Sequence, residues 1–352
     1  MSLQILNAGP LLSVQDRGRF GYRSAGVSAA GPMDPTALAL ANALCGNKVD
    51  AAALEFAGLA GSFKSDMPLH FAVTGGDCDM SIGGKPINPG ETHRLNPDET
   101  LKVGSLKGAS WGYLAIAGGI QTEPVLGSRS THLRFGLGGL DGRALGAGDV
   151  LPLSKNPPEP SLLSLGASSG TANLKPNADP IRIMLGPQDV FFAPDVLSRL
   201  TTEAFTITPQ RDRMATILDG PTLPAQRGHD IVSDGTVSGA IQVPGSGQPI
   251  VLMAECQTTG GYPKIATIIS ADLARFAQMP NGKQFYFQVV DRVTAEDAAR
   301  EREAALRGIL ENLTRKAATE LSSTYLLSCD LIGGIAAPYE IVGHHGTGRP
   351  EE

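Results

Sequence analysis

Residues 239–264 read GAIQVPGSGQPIVLMAECQTTGGYPK, a pattern of short apolar runs separated by glycine and proline. We predict one strand at 250–254 and another from Lys264 onward, because each run has the length and apolar content of a strand. The Gly-Gly pair at 260–261 between two such runs is typical of a hairpin turn. The segment therefore indicates a fold built from short antiparallel strands.

The same loop also has the composition of a binding site. Gly260 and Gly261 carry no side chains, so backbone N–H groups can approach a ligand, and Lys264 supplies a cation that we expect to be exposed. Neutral donors and acceptors lie beside them at Gln257, Thr258 and Thr259. A small anionic or amide-like molecule would fit, and the segment alone leaves the site and the plain hairpin both open.

The rest of the chain follows a similar β-rich pattern. It has 43 glycines and 25 prolines among 352 residues, above the roughly 12% that the two make up in ordinary proteins, which favours many short strands. Further strands are predicted at Ile5 and at 54–63, 69–74, 101–105, 111–117, 181–185, 204–208, 215–218, 264–269 and 285–290. The predicted fold class is mainly β, with a few short helices and a C-terminal helix.

Capping signals and helical spacing predict four helices, which follow Asp34-Pro35 or lie at 194–200, 272–278 and 294–317. Thr294 and Asp297 have the spacing of a capping box at the start of the last helix.

Residues 155–180 divide the chain, because they are rich in Pro, Ser, Asn and Ala without periodicity. We predict a first domain at 1–154, a linker at 155–180, a second domain with the terminal helix at 181–330, and a tail at 331–352.

Charge and composition argue against several classes of function. A net charge of −6 and an aromatic content of 5% are unlike a nucleic-acid-binding surface. No run approaches the roughly 18 apolar residues that span a bilayer, and the N-terminus lacks the pattern of a secretion signal, so we expect a cytoplasmic protein without a membrane partner. The four cysteines and six histidines show no metal-ligand spacing, and no metal site is predicted.

Two further stretches complete a set of three long motifs. They are SVQDRGRFGYRSAGVSAAGPMDPTALALANALCGN at 13–47 and LAIAGGIQTEPVLGSRST at 114–131. Taken in order with 239–264, they resemble the bacterial family called KipA, allophanate hydrolase subunit 2 or the C subunit of 5-oxoprolinase. They are also similar to one part of the biotin-dependent carboxyltransferase domain of urea carboxylase. The resemblance extends to about Val290.

This resemblance implies two related cyclophilin-like β-barrels in one chain. It implies one component of an ATP-dependent 5-oxoprolinase that hydrolyses 5-oxo-L-proline to L-glutamate. The implied partners are a protein like KipI or the B subunit of 5-oxoprolinase, and a LamB/YcsF-like protein as the A subunit. ATP is implied although the sequence has no GxxxxGK[ST] loop, and biotin is not attached to this chain because no Met-Lys pair occurs in it.

The resemblance also suggests roles for residues in the three motifs. We assign charge stabilisation and catalysis to Lys264, Arg19 and Asp16. We assign substrate binding to Gln15, Met33, Asp34, Gln242, Gln257, Thr258, Thr259, Gly260 and Gly261. Two structural alternatives stay open: Asp34 as a helix N-cap, and Asp16 with Arg19 as an internal salt bridge. The chain offers no evident catalytic base, which a partner protein could supply.

Two other functions remain as alternatives. One is carboxyl transfer from carboxybiotin to urea or a related small amide, and the other is a non-enzymatic regulator that binds a kinase-inhibitor partner. The chain also departs from the family pattern at 212–217, where Ala215 replaces a glycine, and at Ser28, which replaces a proline. These departures bear on the substrate more than on the fold.

Overall fold

The computed structural model describes residues 1–166 and 179–315. Parts of the predicted linker and terminal helix, and all of the tail at 331–352, lie outside these residues. The predicted mainly β class is confirmed, because the described residues form mostly antiparallel sheets with a few helices.

The first half of the chain folds into two antiparallel sheets. The larger has the order β11-β1-β4-β9-β6-β7 and contains β1 (Ser2–Ala8), β4 (Leu59–Ser65), β6 (Asp77–Ile82), β7 (Lys85–Ile87), β9 (Leu101–Lys107) and β11 (Val150–Pro152). The smaller has the order β2-β3-β10-β5-β8 and contains β2 (Ser13–Gln15), β3 (Ala53–Ala57), β5 (Leu69–Thr74), β8 (His93–Leu95) and β10 (Trp111–Ile116). A cluster of buried side chains from both sheets, including Ile5 and Phe56, packs between them.

The second half forms one eight-stranded sheet in the order β21-β14-β15-β18-β17-β20-β13-β22. Its strands are β13 (Ile181–Leu185), β14 (Phe205–Arg211), β15 (Ala215–Asp219), β17 (Ala240–Gln242), β18 (Ile250–Leu252), β20 (Lys264–Ile268), β21 (Gln284–Phe285) and β22 (Phe287–Val289). β21 and β22 are separated by Tyr286 alone, yet they lie at opposite ends of the strand order. The sheet must therefore curve into a nearly closed barrel.

Two small strand pairs complete the β-structure. β12 (Leu163–Ser164) pairs with β23 (Thr314–Arg315), and β16 (Asp234–Gly235) pairs with β19 (Thr259–Gly260). The second pair includes Thr259 and Gly260 of the predicted binding loop.

Four α-helices are described: α1 (Pro35–Leu44), α2 (Pro194–Thr202), α3 (Ser270–Gln278) and α4 (Arg292–Glu311). Asp34 caps α1 as predicted, since its side chain accepts from the N–H groups of Thr36 and Ala37. The predicted capping box of α4 is wrong. The helix begins two residues earlier and is capped by Asp291, whose carboxylate accepts from the Thr294 N–H at 2.8 Å.

The single strand predicted at 54–63 is also wrong. Gly58 has a φ of 66°, a left-handed conformation that breaks the strand and directs its two parts into different sheets. The three large sheets each lie on one side of the predicted linker, although β12, within the linker, pairs with β23. One hydrophobic cluster also includes residues from both sides, such as Ala37, Trp111, Ile181 and Phe276. The division into two domains stays a prediction.

No helix in the described ranges is both long enough and apolar enough to cross a membrane.

Candidate functional site

Lys264 is buried, and the prediction of an exposed loop lysine is wrong. The residue is 4% exposed, because it begins an interior strand of the barrel. Its Nζ forms an ion pair with Oδ2 of Asp234 at 2.7 Å, and the Asp234 side chain is 52% exposed. The hydrogen bond from Lys264 is the main reason that the pKa of Asp234 lies below its usual value. The loop thus holds a cation with little contact with water.

An amide pair lies beside this cation. Gln242 is opposite Lys264 in the antiparallel pairing of β17 and β20, so the two side chains leave the same face of the sheet. Gln257 Nε2 donates to Gln242 Oε1 at 3.2 Å. Nε2 of Gln242 and Oε1 of Gln257 are buried without a hydrogen-bond partner among the described residues. A spare donor and a spare acceptor are the complement of an amide or lactam edge.

The two glycines of the loop differ in how much space surrounds them. A Cβ built on Gly260 would lie 2.5 Å from Gln242 Nε2 and 3.4 Å from Gln257 Nε2. A Cβ on Gly261 would meet nothing closer than the Ile231 carbonyl oxygen at 3.5 Å. The amide pair therefore requires glycine at 260 and not at 261.

Residues 227–235 cross this loop, and we call them the strap. The strap pairs with the loop through β16 and β19, and its Ile231 N–H donates to the Gly261 carbonyl oxygen at 2.7 Å. The strap residues other than Ile231 are exposed. They form the outer cover of Lys264 and the amide pair.

Thr236 fixes the end of the strap. Its N–H donates to the Thr258 carbonyl oxygen at 3.1 Å, and its hydroxyl donates to the Gln257 carbonyl oxygen. Arg23, from the first half of the chain, donates to the Thr236 carbonyl oxygen. Thr258 contributes backbone atoms here, as Thr259 does in β19.

Asp16 lies in a second group of predicted residues and is saturated with donors. Its carboxylate accepts from the Gly18 N–H at 2.9 Å, the Arg129 N–H at 2.6 Å, and the hydroxyls of Ser128 and Ser130 at 2.5 and 2.7 Å. Burial alone would raise the pKa of Asp16, but these hydrogen bonds together lower it. The carboxylate holds the loop at 128–130 in place.

Arg19 and Gln15 contact the same loop. Arg19 is 2% exposed, donates to the Ser130 carbonyl oxygen, and has an Nη1 without a partner in the described ranges. Burial lowers the pKa of Arg19. Gln15 is fully buried and donates to the Thr131 carbonyl oxygen at 3.1 Å. The predicted salt bridge of Asp16 with Arg19 is not within ion-pair distance, although the two charges interact.

Met33 and Asp34 form a third group in the hydrophobic core beside α1. The Met33 N–H donates to Glu55 Oε2 at 2.8 Å, while its side chain belongs to the core. Besides capping α1, Asp34 accepts from Gln278 Nε2 at 3.0 Å, and its N–H donates to the Tyr113 hydroxyl at 2.7 Å.

A buried ionic network, which the sequence analysis missed, connects these groups. Arg213 is 1% exposed. It contacts Glu55 and donates from Nε to Glu255 Oε1 at 2.6 Å and from Nη2 to the Gly31 carbonyl oxygen at 2.6 Å. Burial alone would lower the pKa of Arg213, and the two carboxylates raise it above its usual value. Since Glu255 precedes Gln257 by two residues, the network ends beside the amide pair.

His132 extends the network to Ser28. Ser28 Oγ and His132 Nε2 are 2.9 Å apart, and His132 Nδ1 lies 3.5 Å from Glu255 Oε2. All three residues are buried. Burial is the main cause that lowers the pKa of His132; Arg19 and Arg213 lower it further, whereas Glu255 opposes them. The imidazole is therefore neutral at pH 7.

The predicted site residues thus fall into two kinds of surroundings. Gln242, Gln257, Gly260 and Lys264 combine a buried cation with spare amide atoms, which is a suitable set for a small carboxylate-bearing amide. Asp16, Arg19, Gln15, Met33 and Asp34 have partners within the protein and position the surrounding loops.

The chain resembles known proteins along most of its length. Residues 25–289 match the family "Carboxyltransferase domain, subdomain A and B". The chain is 38% identical to the C subunit of 5-oxoprolinase from Escherichia coli over 292 residues, which is 81% of this chain and 90% of that protein. It is 35% identical to the C subunit of 5-oxoprolinase from Haemophilus influenzae over 306 residues, or 86% and 96% of the two chains.

The fold has a counterpart in a much longer protein. The structure of Kluyveromyces lactis urea carboxylase superposes with a TM-score of 0.79 at 26% identity, covering 92% of this chain and 30% of that one. The resemblance of the three motifs is confirmed, and the chain belongs to the carboxyltransferase domain family that includes the C subunit of 5-oxoprolinase.

Proposed function

We propose that this protein is one component of an ATP-dependent 5-oxoprolinase complex that hydrolyses 5-oxo-L-proline to L-glutamate. The observation that carries the proposal is the match along nearly the whole length of two proteins named as the C subunit of 5-oxoprolinase, at 38% and 35% identity. The buried cation and the amide pair support it, because 5-oxoproline has one carboxylate and one lactam.

In this proposal Lys264 binds the substrate carboxylate. The spare Nε2 of Gln242 donates to the lactam oxygen, and the spare Oε1 of Gln257 accepts from the lactam N–H. Gly260 allows the lactam edge to reach this pair. These contacts orient the ring and add positive and dipolar charge where the carbonyl oxygen becomes more negative during ring opening.

Asp16 and Arg19 then act as positioning residues rather than as groups that touch the substrate. Their polar atoms are engaged mostly with the loop at 128–131. Through Glu255, with which Arg19 interacts, they fix the chain just before the amide pair.

The partner proteins supply the remaining chemistry. ATP phosphorylates the lactam oxygen and leaves as ADP, water adds to the activated carbon, and the C–N bond breaks to give an acyl phosphate and a free amine. A second water then releases phosphate and leaves glutamate. We assign the nucleotide site and the general base to the KipI-like protein, which corresponds to the B subunit, and to the LamB/YcsF-like A subunit. The reason is that this sequence has no phosphate-binding loop of the GxxxxGK[ST] type. The complex is expected in the cytoplasm.

Co-expression with the neighbouring subunits tests the proposal. We expect ATP-dependent release of glutamate from 5-oxo-L-proline by the assembled complex and almost none by this chain alone. Lactam hydrolysis by the isolated chain would contradict the assignment of the nucleotide site and the base to the partner proteins. An assembled complex that releases no glutamate would contradict 5-oxo-L-proline as the substrate.

A second candidate function is carboxyl transfer to urea or a related amide. The carboxyltransferase family match over 25–289 and the similarity to urea carboxylase favour it. A biotin carrier would be a separate protein or domain, since this chain has no Met-Lys pair. Carboxylation of urea from carboxybiotin, with no glutamate release from 5-oxoproline, would select this function. Absence of turnover in both assays would favour a non-enzymatic regulator.

A further inference from the structure

The strap is attached to the barrel at its two ends and, between them, by the hydrogen bond from the Ile231 N–H to the Gly261 carbonyl oxygen. Just before it, the Gln226 N–H donates to the Phe191 carbonyl oxygen at 2.8 Å, and just after it Thr236 is buried against the loop. Between these anchors, Val232 is 92% exposed. Gly228, with a φ of 96°, and Gly235, whose Cα faces open space, provide backbone freedom near both ends. A segment with so few buried contacts opens at low free-energy cost.

The strongest side-chain contact of the strap is made with the candidate site. The Asp234 carboxylate lies 2.7 Å from Lys264 Nζ and also accepts from Gln188 Nε2 at 3.4 Å. The strap therefore places a carboxylate on the buried cation of Lys264. The amide pair lies next to it, and Nε2 of Gln242 and Oε1 of Gln257 have no hydrogen-bond partner among the described residues. A substrate carboxylate would need this same position.

We propose that Asp234 is an internal substitute for the substrate carboxylate, and that the strap must withdraw Asp234 from Lys264 before a small carboxylate-bearing amide can bind. This inference rests on the proposed function for the identity of that amide. It goes further in assigning the strap as a self-inhibiting cover of the site.

Exchange of one carboxylate for another explains how a buried lysine can serve as a binding group. A buried ammonium without a partner is strongly unfavourable. In the closed state Asp234 pairs with it, and in the bound state the ligand does, so Lys264 is left unpaired only during opening. The affinity measured for a ligand is reduced by the fraction of molecules in the closed state.

The experiment compares Asp234→Ala with Asp230→Ala in the full-length chain. Asp230 lies in the same strap, is exposed, and has no ion pair among the described residues. Mass spectrometry after brief acetic anhydride treatment measures acetylation of Lys264 relative to the exposed Lys107. Calorimetry measures the affinity for 5-oxo-L-proline, and timed trypsin digestion measures cleavage after Arg227.

We expect Asp234→Ala to raise the relative acetylation of Lys264 and the cleavage at Arg227 about fivefold, because losing a half-exposed ion pair leaves the strap open in a modestly larger fraction of molecules. Affinity for 5-oxo-L-proline should rise by a similar factor. Asp230→Ala should match the wild type in all three measurements.

Unchanged acetylation of Lys264 in Asp234→Ala would overturn the proposal, as would weaker binding of 5-oxo-L-proline, which would make Asp234 part of the binding site. Increased acetylation together with no binding of 5-oxo-L-proline by any variant would support the strap and overturn only the substrate of the proposed function.

Discussion

The guanidinium of Arg213 contacts the carboxylate of Glu55, which lies 158 residues earlier in the chain, and both side chains are at most 1% exposed. The same guanidinium bonds Glu255. One cation thus pairs with two buried carboxylates, one from each half of the chain. His132 and the loop at 257–264 both lie next to Glu255.

Replacement of this cation should be severely destabilising. Arg213→Met fills much of the same volume but leaves Glu55 and Glu255 buried without a counter-charge. We expect the free energy of unfolding to fall by about 3–5 kcal/mol, and urea unfolding measures this change. Arg143→Met is the control, because Arg143 pairs with Asp149 at 2.7 Å with about half of its side chain exposed, and its loss should be under about 1 kcal/mol. Equal stability of the two variants would contradict the assigned role.

The two glycines of the loop should respond differently to alanine. In Gly260→Ala the new methyl group meets Gln242 Nε2 at 2.5 Å, so the amide pair must shift, and turnover by the assembled complex should fall about tenfold or more. Gly261→Ala should retain turnover, because its Cβ has ordinary contacts. Glutamate release and melting curves on both variants check this. If Gly261→Ala lost activity and Gly260→Ala kept it, the ligand would lie on the other side of the loop.

Lys264→Met should separate function from stability. Methionine preserves most of the buried aliphatic part of the lysine side chain, and Asp234 can turn to water because it is half exposed. The free energy of unfolding should therefore change by about 1 kcal/mol. Turnover by the complex should nonetheless fall about a hundredfold, because the substrate carboxylate loses its counter-charge. Lys107→Met removes a surface partner of Asp79 at 2.6 Å and serves as the matched control with normal turnover. Wild-type turnover by Lys264→Met would remove this residue from the site.

The free energy of unfolding should depend on pH through His132. Because burial lowers the pKa of His132 below 6.5, the unfolded chain binds a proton that the folded chain refuses, and stability falls as pH drops below about 6.5. Part of this slope between about pH 7 and 5 should disappear in His132→Gln. An unchanged slope in His132→Gln would show that His132 does not contribute to the pH dependence in this window.

Local signals predict much of the fold. The predicted strand at 69–74 coincides with β5, because most of its residues are apolar or β-branched. The cap at Asp34 defines the start of α1, since Asp followed by Pro satisfies free N–H groups and presets the first turn. Strands such as β6 were not predicted, because Asp77 and Asp79 on the outer face hide the alternation of Cys78 and Met80 on the inner face.

The candidate site is predictable only in part. The loop at 257–264 is a local motif and is visible in the sequence. The burial of Lys264 is not, because it depends on neighbouring strands and on the strap. Arg213, Glu55 and Glu255 are single charged residues without a local pattern, and they become a network only when distant segments meet. A polar residue in an otherwise apolar strand, as Glu55 is in β3, is the one signal that could have found them.

The contact of Arg213 with Glu55 also constrains how the protein is made. During synthesis Glu55 leaves the ribosome 158 residues before its partner, so β3 cannot be buried with its carboxylate charged and paired until residue 213 has emerged. The nascent first half would have to keep this strand open, protonate the carboxylate, or be held by a chaperone. Completion of the barrel and closure of the first-half core then become one cooperative event, and a fragment that ends before residue 213 should populate a loosened state with β3 unprotected from hydrogen exchange.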